Sequence, residues 1–291
     1  MADPVSEVAG SGAPEEATAP GGVTAPGRTS EIPIATLALL VGVVLGAANS
    51  AGVDALLAAV AVVQAVLVGA WVFGSVLPGR VGALIYGVLA AGAADVAVMR
   101  WHHDGFGPIL GVLAVAIPLL FIHQLTRGVV RVRVVESLAL IAVLVLAEVS
   151  LAGLVLLRQQ GGGDDTALTV AAAACAGVAA SYLTDAVAPL PRFDPVVRRG
   201  LSGVIVAACV GGVIGVFVLR DALGYGAQRG ALLGAVVALI AALVSVGASF
   251  ATAGGPELPL VRAWLVRLST VLMTVAVTVP AGYLLVNALS D

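Results

Sequence analysis

Lysine is missing from this chain altogether, and its 14 basic residues are all arginine. Schiff-base lysines and lysine-type phosphate cradles are thereby excluded. Cysteine is scarce: Cys175 and Cys209 are the whole complement. With no CxxC spacing and no neighbouring histidine they make no zinc set, and both are read as free, buried thiols. Three histidines supply no HExxH pattern, and nothing resembling a Walker loop or a GxGxxG turn opens a helix. No cofactor is expected. Charged residues amount to 11% and aromatics to 4%, where a soluble domain would carry about a quarter charged residues. An ordinary water-soluble globule is excluded. The formal net charge of -3 comes with most acids in the tail and loops, so it names no charged partner, nucleic acid included.

Apolar residues are plentiful, at 60% with a mean hydropathy of +1.10. Windows of about 20 residues, the length that crosses a bilayer as a helix, fall at 33–50, 55–77, 81–99, 108–124, 135–157, 166–189, 200–219, 230–252 and 268–288. Nothing alternates with period two, and a lipid-exposed backbone must satisfy its own hydrogen bonds. The expected class is therefore all-α: a polytopic integral membrane bundle of about nine transmembrane helices over 31–291, behind a disordered tail. Residues 1–30 carry Asp3, Glu7, Glu15 and Glu16 among Pro and Gly, with no apolar run to offset ordering entropy. Their one cation is Arg28, so there is no basic n-region and the first apolar segment is expected to stay uncleaved.

Arginines sort by side. Arg28, Arg80, Arg127, Arg131, Arg133, Arg192, Arg198, Arg199, Arg262 and Arg267 fall on one side of the nine spans, against Arg100, Arg158, Arg220 and Arg229 on the other. The positive-inside rule then puts the N-terminus in the cytoplasm and the C-terminus outside. Richness in Ala, Val, Gly and Arg points to a GC-rich bacterial coding sequence, hence the bacterial plasma (inner) membrane. Gly42 with Gly46, Gly211 with Gly215, and Gly230 with Gly234 each set two glycines on one helix face, as close helix packing requires. Pro118 and Pro280 fall inside spans, where kinks are expected.

An ionisable group at membrane depth costs roughly 2.5 to 3.5 kcal/mol on insertion scales, so each is a candidate site. Asp95, Glu148 and Asp185 are such groups. Asp95 and Glu148 either line a polar cavity or bond Ser, Thr or Gln64 neighbours. Trp101-His102-His103-Asp104 reads as a headgroup-level loop with no metal, and His123 as an interfacial cap. Two neighbouring loops on the arginine-rich side, Arg127/Arg131/Arg133 before Glu136 and Arg192/Arg198/Arg199 around Asp194, have the chemistry to hold anionic lipid headgroups or phosphates.

Ser181-Tyr182-Leu183-Thr184-Asp185-Ala186 leads through Arg192-Phe193-Asp194-Pro195 to Arg198-Arg199-Gly200-Leu201-Ser202-Gly203 and an apolar helix. Further on come Gly230-Ala231-Leu232-Leu233-Gly234, Val266-Arg267-Leu268-Ser269 and Pro280-Ala281-Gly282-Tyr283. Over about residues 165 to 287 this layout resembles the phosphatidate cytidylyltransferases, the CDP-diacylglycerol synthases, whose helix-end Asp precedes a Ser-Pro-Lys-Lys-Thr loop and a glycine-rich span. The departures fall on the reactive parts. Val196 and Val197 stand where the family has two lysines, and Val266 and Ser269 stand where its Asp-Arg-x-Asp segment has carboxylates. The family's Pro-Gly-His-Gly-Gly element has no counterpart. Attack of a phosphatidate oxygen on CTP needs carboxylate-held magnesium and cations on the triphosphate.

The resemblance thus implies a degenerate, catalytically inactive relative that binds anionic lipid or scaffolds envelope enzymes, with Asp185, Arg192, Arg198, Arg199 and Arg267 as lipid or phosphate contacts. Its expected partners are membrane lipids, anionic phospholipid among them, and a membrane protein. The alternative is a small proton-coupled transporter or flippase with Asp95 and Glu148 on a central path, although no inverted repeat supports it.

Overall fold

In the computed structural model the described residues are 31–75, 79–126, 133–160, 163–195, 197–220, 226–253 and 258–290. The tail 1–30, expected to be disordered, and Arg127 and Arg131 lie outside them. Within them the chain is helical almost throughout and contains no strand. Ten helices follow in order: α1 (Glu31–Ala51), α2 (Val53–Gly74), α3 (Arg80–Arg100), α4 (Gly107–Thr126), α5 (Val134–Leu151), α6 (Gly153–Gln159), α7 (Gly163–Val187), α8 (Leu201–Leu219), α9 (Gly226–Thr252) and α10 (Leu260–Ser290). Because α5 and α6 make one interrupted span, the described residues contain 9 spans long and apolar enough to cross a membrane. The chain is a multi-pass membrane protein.

Most span ends agree with the apolar windows to within a few residues, and two differences have physical reasons. α10 begins at Leu260, eight residues before its window, because Arg262 and Arg267 lower the hydropathy of turns that are nonetheless helical. Arg262 uses that extra length: its Nε donates to Gly74 O at 2.8 Å, satisfying a carbonyl at the end of α2 that has no intrahelical partner. The fifth span is interrupted at Ala152, next to Gly153, whose hydrogen faces Val279 and the Phe106 ring. Pro118 and Pro280 both sit inside continuous helices.

Polarity sorts the bundle. The spans α5–α6, α7 and α10 are the most enclosed, whereas α1, α4 and α8 turn most of their surface outward. Outward residues such as Val43, Val81, Leu125 and Phe217 are large, apolar and exposed, which is stable where the surroundings are hydrocarbon. Cys175 is buried against α1, but Cys209 is exposed on α8, so only one of the two thiols has the expected burial. Hydroxyls inside the spans are bonded to their own helix: Thr274 to Thr270 O at 2.8 Å, Thr278 to Val275 O at 2.7 Å and Ser150 to Leu146 O at 2.7 Å. This back-bonding satisfies a polar group without a second helix. One face of the bundle carries the start of α1 and the end of α7, and is called the first face below. The second face carries Gly52, whose φ of 131° makes a one-residue turn between α1 and α2 open to glycine alone.

The glycine pairs on α8 and α9 form one tight crossing. A Cβ on Gly215 would fall on Gly230 O, and a Cβ on Gly211 would fall on Gly234 O and Ala238. A Cβ on Gly42 would come within 2.8 Å of Cys175 Cβ, a less severe overlap, while Gly46 meets Leu168 at ordinary contact distance. Replacing Gly215 by Leu is expected to lower detergent-solubilised stability by about 1 to 3 kcal/mol, the cost of overpacking. Gly92→Ala, with nothing near its added Cβ, is expected to leave it unchanged. Thermal unfolding of the two variants measures the contrast.

Candidate functional site

The segment between α7 and α8 folds back on itself. Arg192 and Gly200 form an antiparallel bridge, Phe193 N donates to Arg199 O at 3.1 Å, and Leu201 N donates to Pro191 O at 3.0 Å. Ser202 Oγ accepts from Leu190 N and donates to Ala188 O at 2.8 Å. Gly200 is extended and lies against the Pro189 and Leu190 backbone, where a Cβ would clash. Along extended backbone, neighbouring side chains point to opposite sides. Arg199 therefore turns into the bundle, 1% exposed, while its neighbour Arg198 stays half-buried near the surface.

Arg199 is held on several sides. Its Nη2 donates to Ser181 Oγ at 2.7 Å and to Ser245 Oγ at 2.9 Å, and its Nη1 lies 3.4 Å from Asp185 Oδ2. The guanidinium carbon stands 3.8 Å above the centre of the Tyr182 ring, close enough for cation–π attraction. Tyr182 Oη in turn lies 3.4 Å from Ser249 Oγ. Asp185 is fully buried, and its Oδ1 accepts from Gly200 N at 3.2 Å. A Cβ on Gly203 would overlap the Asp185 carboxylate, so a bare helix start is what lets the carboxylate sit there.

The charges of Arg199, Asp185, Arg198 and Arg267 all reach Glu31, which is buried at the start of α1 with Oε2 lacking a hydrogen-bond donor. Arg267 is half-buried, its guanidinium 5.4 Å from the centre of the Trp264 ring. Of the five residues expected to hold phosphate, the structure brings Asp185 and Arg199 into contact, and the charges of Arg198 and Arg267 reach the same Glu31 as theirs. Arg192 stands nearby, exposed on the same loop. Asp185 and Arg199 face each other, whereas the surface belongs to Arg192, Arg198 and Arg267. In the other expected loop, Arg133 pairs with Glu136 three residues on.

Glu31, Tyr182, Ser245 and Ser249 complete the cluster. Tyr182 belongs to a motif visible in the sequence. Glu31, by contrast, reads as the edge of an acidic tail, and the two serines are hidden in an apolar run whose facing direction only packing decides.

A second polar group lies at mid-depth. Gln64 Nε2 donates to Glu148 O at 2.9 Å and to Asp95 Oδ1 at 3.3 Å. Gln64, one of the neighbours expected for the two acids, thus bonds the Asp95 carboxylate but reaches only the backbone carbonyl of Glu148. His102 and His103 lie in a short 3-10 turn with ring centres 3.8 Å apart. His123 packs against Gly82 and the Tyr86 ring. Among the described residues no three His, Cys, Asp or Glu side chains gather about one point.

No family model and no curated protein matches the chain.

Removing one partner of a buried ion pair leaves an uncompensated charge, at about 3 to 5 kcal/mol. Arg199→Ala is expected to cost that much and Arg199→Lys to restore only part of it, since an ammonium lacks the planar fork that meets Ser181, Ser245 and Asp185 together. Arg198→Ala, at a half-buried position outside the Asp185 ion pair, should cost less than Arg199→Ala. Equal melting temperatures for Arg198→Ala and Arg199→Ala would contradict this division.

Proposed function

We propose that this multi-pass membrane protein binds the phosphate of an anionic lipid at its first face, and that it is a catalytically inactive relative of the CDP-diacylglycerol synthases. The observation that carries the reading is the buried Asp185–Arg199 pair, which fixes the loop bearing Arg192 and Arg198 at the end of α7, with the charges of Arg198 and Arg267 both felt at Glu31. Arg192, Arg198, Arg199 and Arg267 outnumber Glu31, Asp185 and Asp194 by one, so this face keeps a positive excess where lipid headgroups lie. Guanidinium is the side chain suited to phosphate oxygens, because its donors meet two of them at once.

Arg192 extends the basic surface along the loop. Arg199 serves as an internal tie that holds the loop to α7 and α9, so the outer arginines start from a fixed backbone.

Inactivity rests on how Asp185, the acid that corresponds to the family's helix-end Asp, is used. A carboxylate that is to hold magnesium must offer its oxygens to the metal. Asp185 instead accepts from the Gly200 amide at Oδ1 and has Oδ2 at ion-pair distance, 3.4 Å, from the Arg199 guanidinium, buried beneath the loop. The order of segments from Ser181 to Gly203 and from Gly230 to Tyr283 supports the kinship, while Val196, Val197, Val266 and Ser269 support the loss of chemistry.

Native mass spectrometry of protein purified in mild detergent tests the proposal. Phosphatidate or another anionic phospholipid is expected to stay bound in preference to a zwitterionic one. A basic residue near a membrane surface contributes about 1 kcal/mol to anionic-lipid attraction. The double variant Arg198→Ala/Arg267→Ala should therefore weaken retention roughly thirtyfold while remaining folded. Equal retention of zwitterionic and anionic lipid, or unchanged retention in the double variant, would contradict lipid binding at this face. Formation of CDP-diacylglycerol from CTP by the purified protein would contradict inactivity.

A further inference from the structure

The mid-depth group contains acceptors without donors. Glu148 is 0% exposed, and neither carboxylate oxygen receives a hydrogen bond. Gln64 is 1% exposed, its amide nitrogen already serves Asp95 and the Glu148 carbonyl, and its Oε1 also lacks a donor. Three buried oxygens therefore point into protein with nothing to donate to them. The elements packed on α5 do not mend this. α10 carries Thr274 and Thr278, whose hydroxyls are bonded within their own helix, and Arg158 on α6 donates to Asn49 Oδ1 at 3.3 Å. From α3, Asp95 is the ionisable group whose charge reaches Glu148, and it adds a carboxylate.

An acceptor set of this kind, out of reach of water, calls for a cation. A proton meets the need with one O–H bond. A metal ion would demand several oxygens at fixed radius.

A shallow groove of about 550 Å³ lies between α2 and α3, lined by Asp54, Asp95, Met99 and Arg100 toward the second face and by the apolar Leu57, Ala61 and Val96. Asp95 lies five residues before Arg100, the last residue of α3, so it stands about 7.5 Å along the helix from the second face. Gln64 lies eleven residues, about 16 Å of helix, beyond the start of α2 at that face. Asp95 is half-buried and looks into the groove, while Glu148 is sealed behind it.

We propose that Asp95, Gln64 and Glu148 form an exchangeable proton site served from the second face, with Asp95 as its entry and Glu148 as its sealed terminus. A proton that arrives on the Asp95 carboxylate and ends on the Glu148 carboxylate leaves Asp95 ionised and Glu148 a neutral acid; because Gln64 bonds the backbone carbonyl of Glu148, the transfer requires the Glu148 side chain to turn toward Asp95. The pair then holds one negative charge, and no heavy-atom bond is made or broken. Asp54 and Arg100, opposite in charge, flank the mouth.

Infrared spectroscopy of the full chain in lipid vesicles at neutral pH tests this directly, because exposed carboxyl groups are then ionised and a protonated one shows its own carbonyl stretch. The expected result is a carboxylic-acid band that shifts in D2O, disappears in Glu148→Gln and persists in Asp54→Asn. In Asp95→Asn the band should persist with slower exchange. Should Glu148→Gln fail to fold, Glu148→Asp should move the band instead of removing it. The proposal is overturned by absence of the band, by its survival in folded Glu148→Gln, by a band unmoved by D2O, or by one that emerges only when sodium is withdrawn.

Discussion

Hydrocarbon offers no hydrogen bonds, and every polar decision in this protein follows from that. The backbone answers by being helical in each described span. Hydroxyls answer by bonding the preceding turn of their own helix, as at Thr274, Thr278 and Ser150. Helices that need no polar glue can then meet through bare backbone, which is how Gly211 and Gly215 reach Gly234 and Gly230. Among the groups too polar for these answers, two clusters hold buried carboxylates, one near the first face and one at mid-depth.

Those two places solve the same problem differently. Near the first face, Asp185 is matched by Arg199, whose Nη2 also donates to Ser181 and Ser245. Charge is neutralised by charge, and the excess arginines lie outward. At mid-depth no arginine is present, so Gln64 supplies the donors and the carboxyl oxygens of Glu148 stay unmatched by protein. The first arrangement suits a fixed anchor beneath a ligand surface. The second suits a site completed by something small and mobile.

Much of the frame was legible in the sequence because a lipid-spanning helix leaves a length signal that survives poor resolution of its ends. The mismatches come from residues whose role depends on neighbours. Hydropathy alone cut α10 short at Arg262 and Arg267, since it cannot see that Arg262 caps α2. Arg198 and Arg199 are identical in type and adjacent in chain, so only the extended turn around Gly200 tells the inward one from the outward one. Glu31 was legible as a charge but not as a member of a cluster, because the arginines around it arrive from α10 and the loop before α8. Gln64 could be named as a partner for Asp95 and Glu148, yet composition cannot say that it would reach the carboxylate of the first and only the backbone of the second. Cys209, read as buried, is exposed on α8 because lipid-facing and core-facing residues in these spans are equally apolar.

The account stands on the two faces being separated by membrane, with Arg80 and Arg192 on one and Asp104 on the other. In closed, uniformly oriented vesicles, single cysteines at these exposed positions, in a chain with Cys175 and Cys209 replaced by alanine, can be challenged with a membrane-impermeant maleimide. The account predicts that Arg80→Cys and Arg192→Cys react from one side of the vesicle and Asp104→Cys only from the other. Labelling of all three from the same side would contradict it.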